Sequence, residues 1–198
     1  MIRTAQVQRT TNETSIEISL NLDGSGQAKV DTGVGFLDHM LEQLALHGLF
    51  DINLTAHGDL HIDTHHLVED TAINLGKAFN DALGDRSGIY RMGHAYVPMD
   101  EALALAVIDF SGRPYWIIDI PWNSLLIGEL PTSLLTHFFE SFAANALCNL
   151  HLHLIHGRDD HHAAEAAFKA LARASRQAVA LDPLRQGKIA STKGSLRS

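Results

Sequence analysis

Two short stretches of the chain, His65-His66-Leu67-Val68-Glu69 and His161-His162-Ala163-Ala164-Glu165, agree at every position that carries chemistry. Upstream, Phe36-Leu37-Asp38-His39-Met40-Leu41-Glu42-Gln43-Leu44-Ala45 lies over Leu134-Leu135-Thr136-His137-Phe138-Phe139-Glu140-Ser141-Phe142-Ala143. The apolar positions coincide, as do one histidine (His39, His137) and the Glu three residues after it. Downstream, Leu75, Ala78 and Ala82 match Leu171, Ala174 and Ala178. Two separate motifs recurring in the same order at nearly the same spacing indicate an internal duplication. The chain is therefore read as a single domain of two repeats, about 1–90 and about 91–182, with a polar tail, 183–198, expected to be mobile until a ligand orders it.

Working outward from the repeat, Ser15 to Leu22 alternates with Ile16, Ile18, Leu20 and Leu22 on one side, the period of a half-buried strand. Gly24-Ser25-Gly26 turns the chain into Gln27 to Thr32, expected as its hairpin partner. Apolar residues then recur at helical spacing from Gly35 to His47, with Gly48 as the expected C-terminal cap. Asp51 to His61 alternates as a strand, and Asp63-Thr64 caps a helix from His65 to Leu83. The second half predicts strands at Arg91–Val97, Ala102–Phe110 and Tyr115–Ile120. It then predicts a helix at Thr132–Leu147, a strand at Asn149–His156 and an Asp159-Asp160-capped helix at His161–Val179. This is an α+β pattern: two duplicated halves, each of strands plus two helices, expected to form a β-sheet layer packed on a layer of four helices.

The bulk chemistry narrows the function. Hydrophobic residues make up 45% of the 198, enough for a buried core and unlike a disordered chain. A formal charge of −8 argues against nucleic acid or an anionic membrane as the main partner, though not against a small phosphate bound locally. The single Cys148 excludes an intrachain disulfide, sits among apolar neighbours and fits a reducing compartment. With no apolar signal core at the N-terminus and no membrane-length apolar run, the expected location is the cytoplasm.

The 13 histidines are clustered and internal. Residues four apart on a helix share a face, so His65 with Glu69, and His161 with Glu165, are placed to converge on one cation. The adjacent His66 and His162 project about a quarter-turn away, toward a second cation. Imidazole with carboxylate suits Mn, Fe or Zn better than Ca or Mg, and the lack of thiolates excludes a Cys-rich structural zinc site. A lone His-His pair at a helix start is more often a surface or capping feature. Repetition together with His39 and His137 has no packing rationale and favours metal. The strand histidines His57, His61, His151, His153 and His156 read as surface or interface residues.

Over its whole length the chain resembles the imidazoleglycerol-phosphate dehydratase family. The resemblance rests on Arg9-Thr10-Thr11-Asn12-Glu13-Thr14, Gly35-Phe36-Leu37-Asp38-His39-Met40, Asp63-Thr64-His65-His66-Leu67-Val68-Glu69-Asp70 and Pro98-Met99-Asp100-Glu101-Ala102. It continues through Gly112-Arg113-Pro114, His137-Phe138-Phe139-Glu140-Ser141, Asp160-His161-His162-Ala163-Ala164-Glu165-Ala166 and Ser191-Thr192-Lys193-Gly194. It implies a ribosomal S5 domain 2-like fold and a shell of 24 copies, with two Mn2+ ions per active site lying between subunits. One ion would take His65, His137, His161 and Glu165; the other would take His39, His66, His162 and Glu69. The resemblance also implies a small phosphorylated imidazole substrate held by Glu13, Gln43, His47, Arg91, Arg113, Lys169, Ser191 and Lys193. Arg forks and Lys point charges suit a phosphate monoester.

The expected reaction removes a proton from the carbon bearing the imidazole and expels hydroxide from the next. Metals acting as Lewis acids would stabilise an imidazolate, and a diazafulvene-like intermediate would then lead to imidazoleacetol phosphate. Glu13, in a polar edge segment, is the expected general acid/base; Glu69 and Glu165 are the competing carboxylates. Two rival readings stay open on the sequence: a two-metal phosphoesterase and a non-catalytic metal-binding shell.

Overall fold

The computed structural model describes residues 3–196. The first half runs β1 (Thr4–Thr10), β2 (Thr14–Asn21), β3 (Ala28–Asp31), α1 (Gly35–Gly48), β4 (Asp51–Gly58) and α2 (His65–Leu83). The second runs β5 (Met92–Met99), β6 (Ala102–Asp109), β7 (Tyr115–Asp119), the two-residue strands β8 (Leu126–Ile127) and β9 (Leu130–Pro131), α3 (Thr132–Ala146), β10 (Asn149–His156) and α4 (Asp160–Val179). The sheets have the orders β1-β2-β4-β3 and β5-β6-β10-β7, so each strand of the first has a counterpart in the second. In each sheet the last strand pairs parallel to its neighbour and the other pairs are antiparallel.

The α+β arrangement of strands on four helices is present, with eight of its strands divided into two four-stranded sheets, one per half, and β8 and β9 paired apart as a two-stranded sheet. Each sheet lies on helices of its own half: α2 on β1 and β2, α4 on β5 and β6. The same helices meet across the halves, α2 with α3 and α1 with α4. The sequence explains this. Helix α4 buries Ala163, Ala164, Ala166, Ala167, Ala170 and Ala174 around more than one face, so it needs cover on two sides. Small residues also set the closest approaches. A β-carbon on Gly76 of α2 would lie 2.6 Å from the Phe142 carbonyl oxygen of α3, and one on Gly93 of β5 would lie 2.1 Å from that of Ala174 in α4. Among the described residues no helix is long and apolar enough to cross a membrane.

Three local expectations change. Gln27–Thr32 does not form a hairpin with Ser15–Leu22; β3 pairs parallel with β4 instead. The reason is that β2 already has β1 on one side and β4 on the other. The Asp51 carboxylate accepts the backbone N–H groups of Ser25, Gly26 and Gln27, directing the chain to the far edge of β4. The left-handed residue ending α1 is Leu49 (φ 54°), not Gly48, and Leu147 (φ 51°) repeats this after α3. Gly48 is needed because a β-carbon there would lie 2.4 Å from the Phe50 ring. Strand β4 stops at Gly58, three residues short of His61.

Among the described residues, the segment after α4 forms no helix or strand. Isolated bridges Ile89 to Leu181 and Ser87 to Ile189 hold it against the half-to-half linker, and Leu196 is buried.

Candidate metal centre and substrate cleft

Both His-His pairs lie at helix N-termini, where local hydrogen bonds fix the backbone. The Asp63 carboxylate accepts the His65 N–H, and Asp159 accepts those of His161 and His162. Asp70 further braces the start of α2, accepting from the Thr14 hydroxyl and pairing with Arg9. Asp160 does the same for α4, accepting from the backbone of Asn123 and Ser124.

Packing α2 on α3 and α1 on α4 gathers two clusters. In the first, His137 Nε2 is 3.1 Å from Glu69 Oε1, and the His65 and His137 rings are 5.4 Å apart. In the second, His39 Nε2 and His161 Nε2 stand 3.5 and 3.4 Å from the same oxygen, Oε2 of Glu165. In each cluster two imidazoles and a carboxylate offer ligand atoms within 4.8 Å of one another, the donor set and spacing of a transition-metal site. Each cluster combines residues of both halves. Neither four-ligand set implied by the resemblance is gathered within one chain: His65 and His137 stand in one cluster, His161 and Glu165 in the other.

His66 and His162 stand beside these clusters, each with a carboxylate at Nδ1. Asp59 Oδ2 is 3.0 Å from His66, and Glu101 Oε2 is 2.7 Å from His162. The hydrogen bond His66 donates to Asp59 raises the His66 pKa above its ordinary value, with the charge of nearby Glu13 adding to it. That donated to Glu101 does the same for His162. The Asp159 N–H, then the His162 ring, then the Arg158 N–H lower the Glu101 carboxyl to about 2. Sequence reasoning gave neither Asp59 nor Glu101 a role. Short acidic loops look like solvated turns, and only the fold brings them to a histidine.

The expected substrate ligands fall into three places. Glu13 is exposed at the β1–β2 turn, near His66, its own N–H held by the Thr11 hydroxyl. Lys169, one turn along from Glu165, pairs with it. Burial is the largest single influence on Glu165 and opposes its ionisation, yet Lys169 and His39 together hold its pKa below the usual value. His47 is nearby: burial, then Lys169 and Arg173, lowers its pKa. Gln43, one turn from His39 on α1, is half-buried. The remaining four, Arg91, Arg113, Ser191 and Lys193, line one cleft of about 540 Å³ with Arg185 and other tail residues. Arg91 is already occupied: it forks onto Asp109 at 2.7 and 2.8 Å and donates to the Ala190 carbonyl at 2.7 Å. It holds the tail in place.

Comparison with known proteins gives the family. The family model for imidazoleglycerol-phosphate dehydratase matches residues 32–175, a span that includes both clusters. The chain belongs to the imidazoleglycerol-phosphate dehydratase family. It is 56% identical over 196 residues to the imidazoleglycerol-phosphate dehydratase of Dehalococcoides mccartyi, covering 99% of this chain and 98% of that protein. The Zymomonas mobilis dehydratase is 54% identical over 196 residues, covering 99% and 100%. The crystal structure of the Staphylococcus aureus dehydratase, 37% identical, aligns with a TM-score of 0.82 over 92% of this chain and all of that one. That of the Pyrococcus furiosus dehydratase in complex with (S)-C348, 34% identical, gives 0.82 over 96% and 99%.

Proposed function

We infer that this chain is a hydro-lyase of histidine biosynthesis that converts imidazoleglycerol phosphate to imidazoleacetol phosphate, with Mn2+ bound at sites completed between copies. The observation that carries the shared site is the distance between its parts. His161 and Glu165 lie in the first turns of α4, whereas the cleft residue Arg91 donates its N–H to Ala178 at the far end of that helix. Helix α4 has 20 residues, about 30 Å at 1.5 Å each. A ring and a phosphate joined by three carbons span roughly 8 Å. A substrate with its phosphate in the cleft of one chain therefore meets the histidines of another. The same geometry supports reading each four-ligand set as two ligands from the first cluster of one copy and two from the second cluster of its neighbour.

A second feature supports self-association. The outer face of the first sheet is polar, with Gln6, Gln8, Glu17, Ser19, Asn53 and Thr55. Its counterpart carries Tyr96, Leu105, Val107, Tyr115 and Ile117, flanking His151 and His153. A sheet face of that composition favours cover by protein, in keeping with a 24-copy shell in the cytoplasm.

In the reaction, bound Mn2+ supplies Lewis acidity toward the imidazole. The chain does the rest. Arg113 and Lys193 neutralise the phosphate, Ser191 donates to it, and Arg91 anchors the tail that carries the last two. Glu13, exposed and near His66, holds and returns the proton exchanged at the substrate carbon. Glu69 and Glu165 sit among histidines as ligands. The test is to incubate the metal-stripped protein with imidazoleglycerol phosphate, with and without Mn2+. Imidazoleacetol phosphate should form with Mn2+ only. Release of inorganic phosphate instead would favour a phosphoesterase, and no turnover with metal restored would overturn the assignment.

A further inference from the structure

The two clusters leave His66 and His162 with a different kind of neighbour from the other four candidate ligands. His39, His137 and His161 meet carboxylates through Nε2, and Glu140 approaches Nδ1 of His137 no closer than 3.7 Å. His66 and His162 instead meet carboxylates through Nδ1, at 3.0 and 2.7 Å, and Asp100 approaches Nε2 of His162 no closer than 3.8 Å. A carboxylate can only accept, so Nδ1 carries the hydrogen, and in the neutral ring the Nε2 lone pair is left outward.

We propose that Asp59 and Glu101 are positioning residues of the metal centre, each fixing the second histidine of a His-His pair in the tautomer that presents Nε2 to the ion. The proposal rests on the reading that these histidines bind metal. An acceptor behind a ligating imidazole sets its tautomer and orientation, and losing one typically weakens metal affinity about 10- to 100-fold.

The duplication supplies the rest of the argument. Glu101 immediately precedes β6 as Glu13 immediately precedes β2, so the two are positional twins. The register confirms it: a β-carbon on Gly58 at the end of β4 would meet Thr14, and one on Gly157 after β10 would meet Ala102, the first residues of β2 and β6. Asp59 and Arg158, which follow these glycines, are twins as well. In the second half the turn glutamate holds the histidine, while the residue after the glycine contributes only its backbone N–H, 3.1 Å from Glu101 Oε1. In the first half the residue after the glycine holds the histidine, and the turn glutamate, Glu13, keeps its carboxylate free. One ancestral position has thus become a positioning carboxylate in one repeat and an available acid/base in the other.

The two carboxylates should respond differently to the same isosteric change. Glu101 Oε1 accepts the N–H groups of Arg158 and Asp159 while Oε2 accepts from His162. In Glu101→Gln the single amide oxygen goes to the two backbone donors, and the NH2 turns to His162. Nδ1 must then accept, the ring proton moves to Nε2, and the ligand atom is blocked. The Asp59 carbonyl accepts the Ile62 N–H, but among the described residues no other residue's backbone donates to its carboxylate, so in Asp59→Asn the amide oxygen can turn to His66 and keep the tautomer.

The experiment measures Mn2+ binding to the metal-stripped, assembled protein by equilibrium dialysis, with the metal-free thermal midpoint as folding control. Glu101→Gln and Asp59→Ala should weaken binding about 10- to 100-fold in protein that still assembles and unfolds in one cooperative transition above the assay temperature. Asp59→Asn and Glu13→Gln should bind as the parent does. Unchanged affinity in Glu101→Gln, or equal losses in Asp59→Asn and Asp59→Ala, would overturn the assignment. If the parent itself binds no Mn2+, the metal reading fails as well, which separates the two failures.

Discussion

Gly76→Ala tests whether the helix interface between the halves sets the geometry of the first cluster. An added β-carbon would lie 2.6 Å from the Phe142 carbonyl oxygen, 2.8 Å from the Ala146 nitrogen and 2.9 Å from Asn145 Cβ. Two of these atoms are helix backbone and cannot rotate aside, so α2 must back away from α3 by the better part of an ångström. Alanine is intrinsically better than glycine inside a helix by about 1 kcal/mol, whereas overpacking against a rigid neighbour costs about 1–3 kcal/mol. The upper end applies against backbone, which leaves a net destabilisation of about 1–2 kcal/mol. For a chain of this size the thermal midpoint should fall by roughly 2–8 °C. Glu69 lies two turns before Gly76 on α2 and faces His137 on α3 at 3.1 Å, so Mn2+ affinity should fall with it. Gly35→Ala is the control: nothing lies within 4 Å of its β-carbon position, and stability should hold or rise slightly. A Gly76→Ala protein with parental midpoint and Mn2+ affinity would refute this coupling.

Other outcomes follow from the same geometry. The Glu101 carboxyl lies at about 2 in the folded chain against 4.5 ordinarily, so its contribution to stability is complete above 4.5 and lost as pH falls toward 2. In the metal-free protein, urea midpoints measured across that window should fall less steeply for Glu101→Ala than for the parent. His66 and His162 act with the opposite sign: their raised pKa values give stability that is complete below 6.5 and fades as pH rises through the folded values, which the same series should show. Cys148 is fully buried and its thiol pKa is pushed up by burial, so a thiol-reactive dye should label it only after unfolding. Arg113→Ala should raise KM for the phosphorylated substrate with a smaller change in kcat. Arg91→Ala should in addition make the tail more susceptible to protease, because it removes the bond to Ala190.

The repeat was legible because histidine pairs at helix starts and apolar positions at helical spacing are local patterns. They located α1 to α4 and the clusters' members. Strand pairing was not local: the place of β3 depends on both edges of β2 being taken. Strand β1 escaped notice because only Ala5 and Val7 point inward among polar residues. Two sheets in place of one follow from the double-sided burial of α4, which the alanine run hints at without saying what covers it. Asp59 and Glu101 were invisible for the same reason as β3: their partners are 7 and 61 residues away, joined only by the fold.

Mixed assemblies test the shared site most directly. One variant carries His65→Ala with His66→Ala and so lacks its first cluster; the other carries His161→Ala with His162→Ala and lacks its second. Each alone should be inactive with imidazoleglycerol phosphate and Mn2+. Co-expressed in equal amounts, they should recover activity at about a quarter of the sites, those where an intact first cluster faces an intact second one. A co-assembled protein as inactive as either parent variant would contradict sites built between copies.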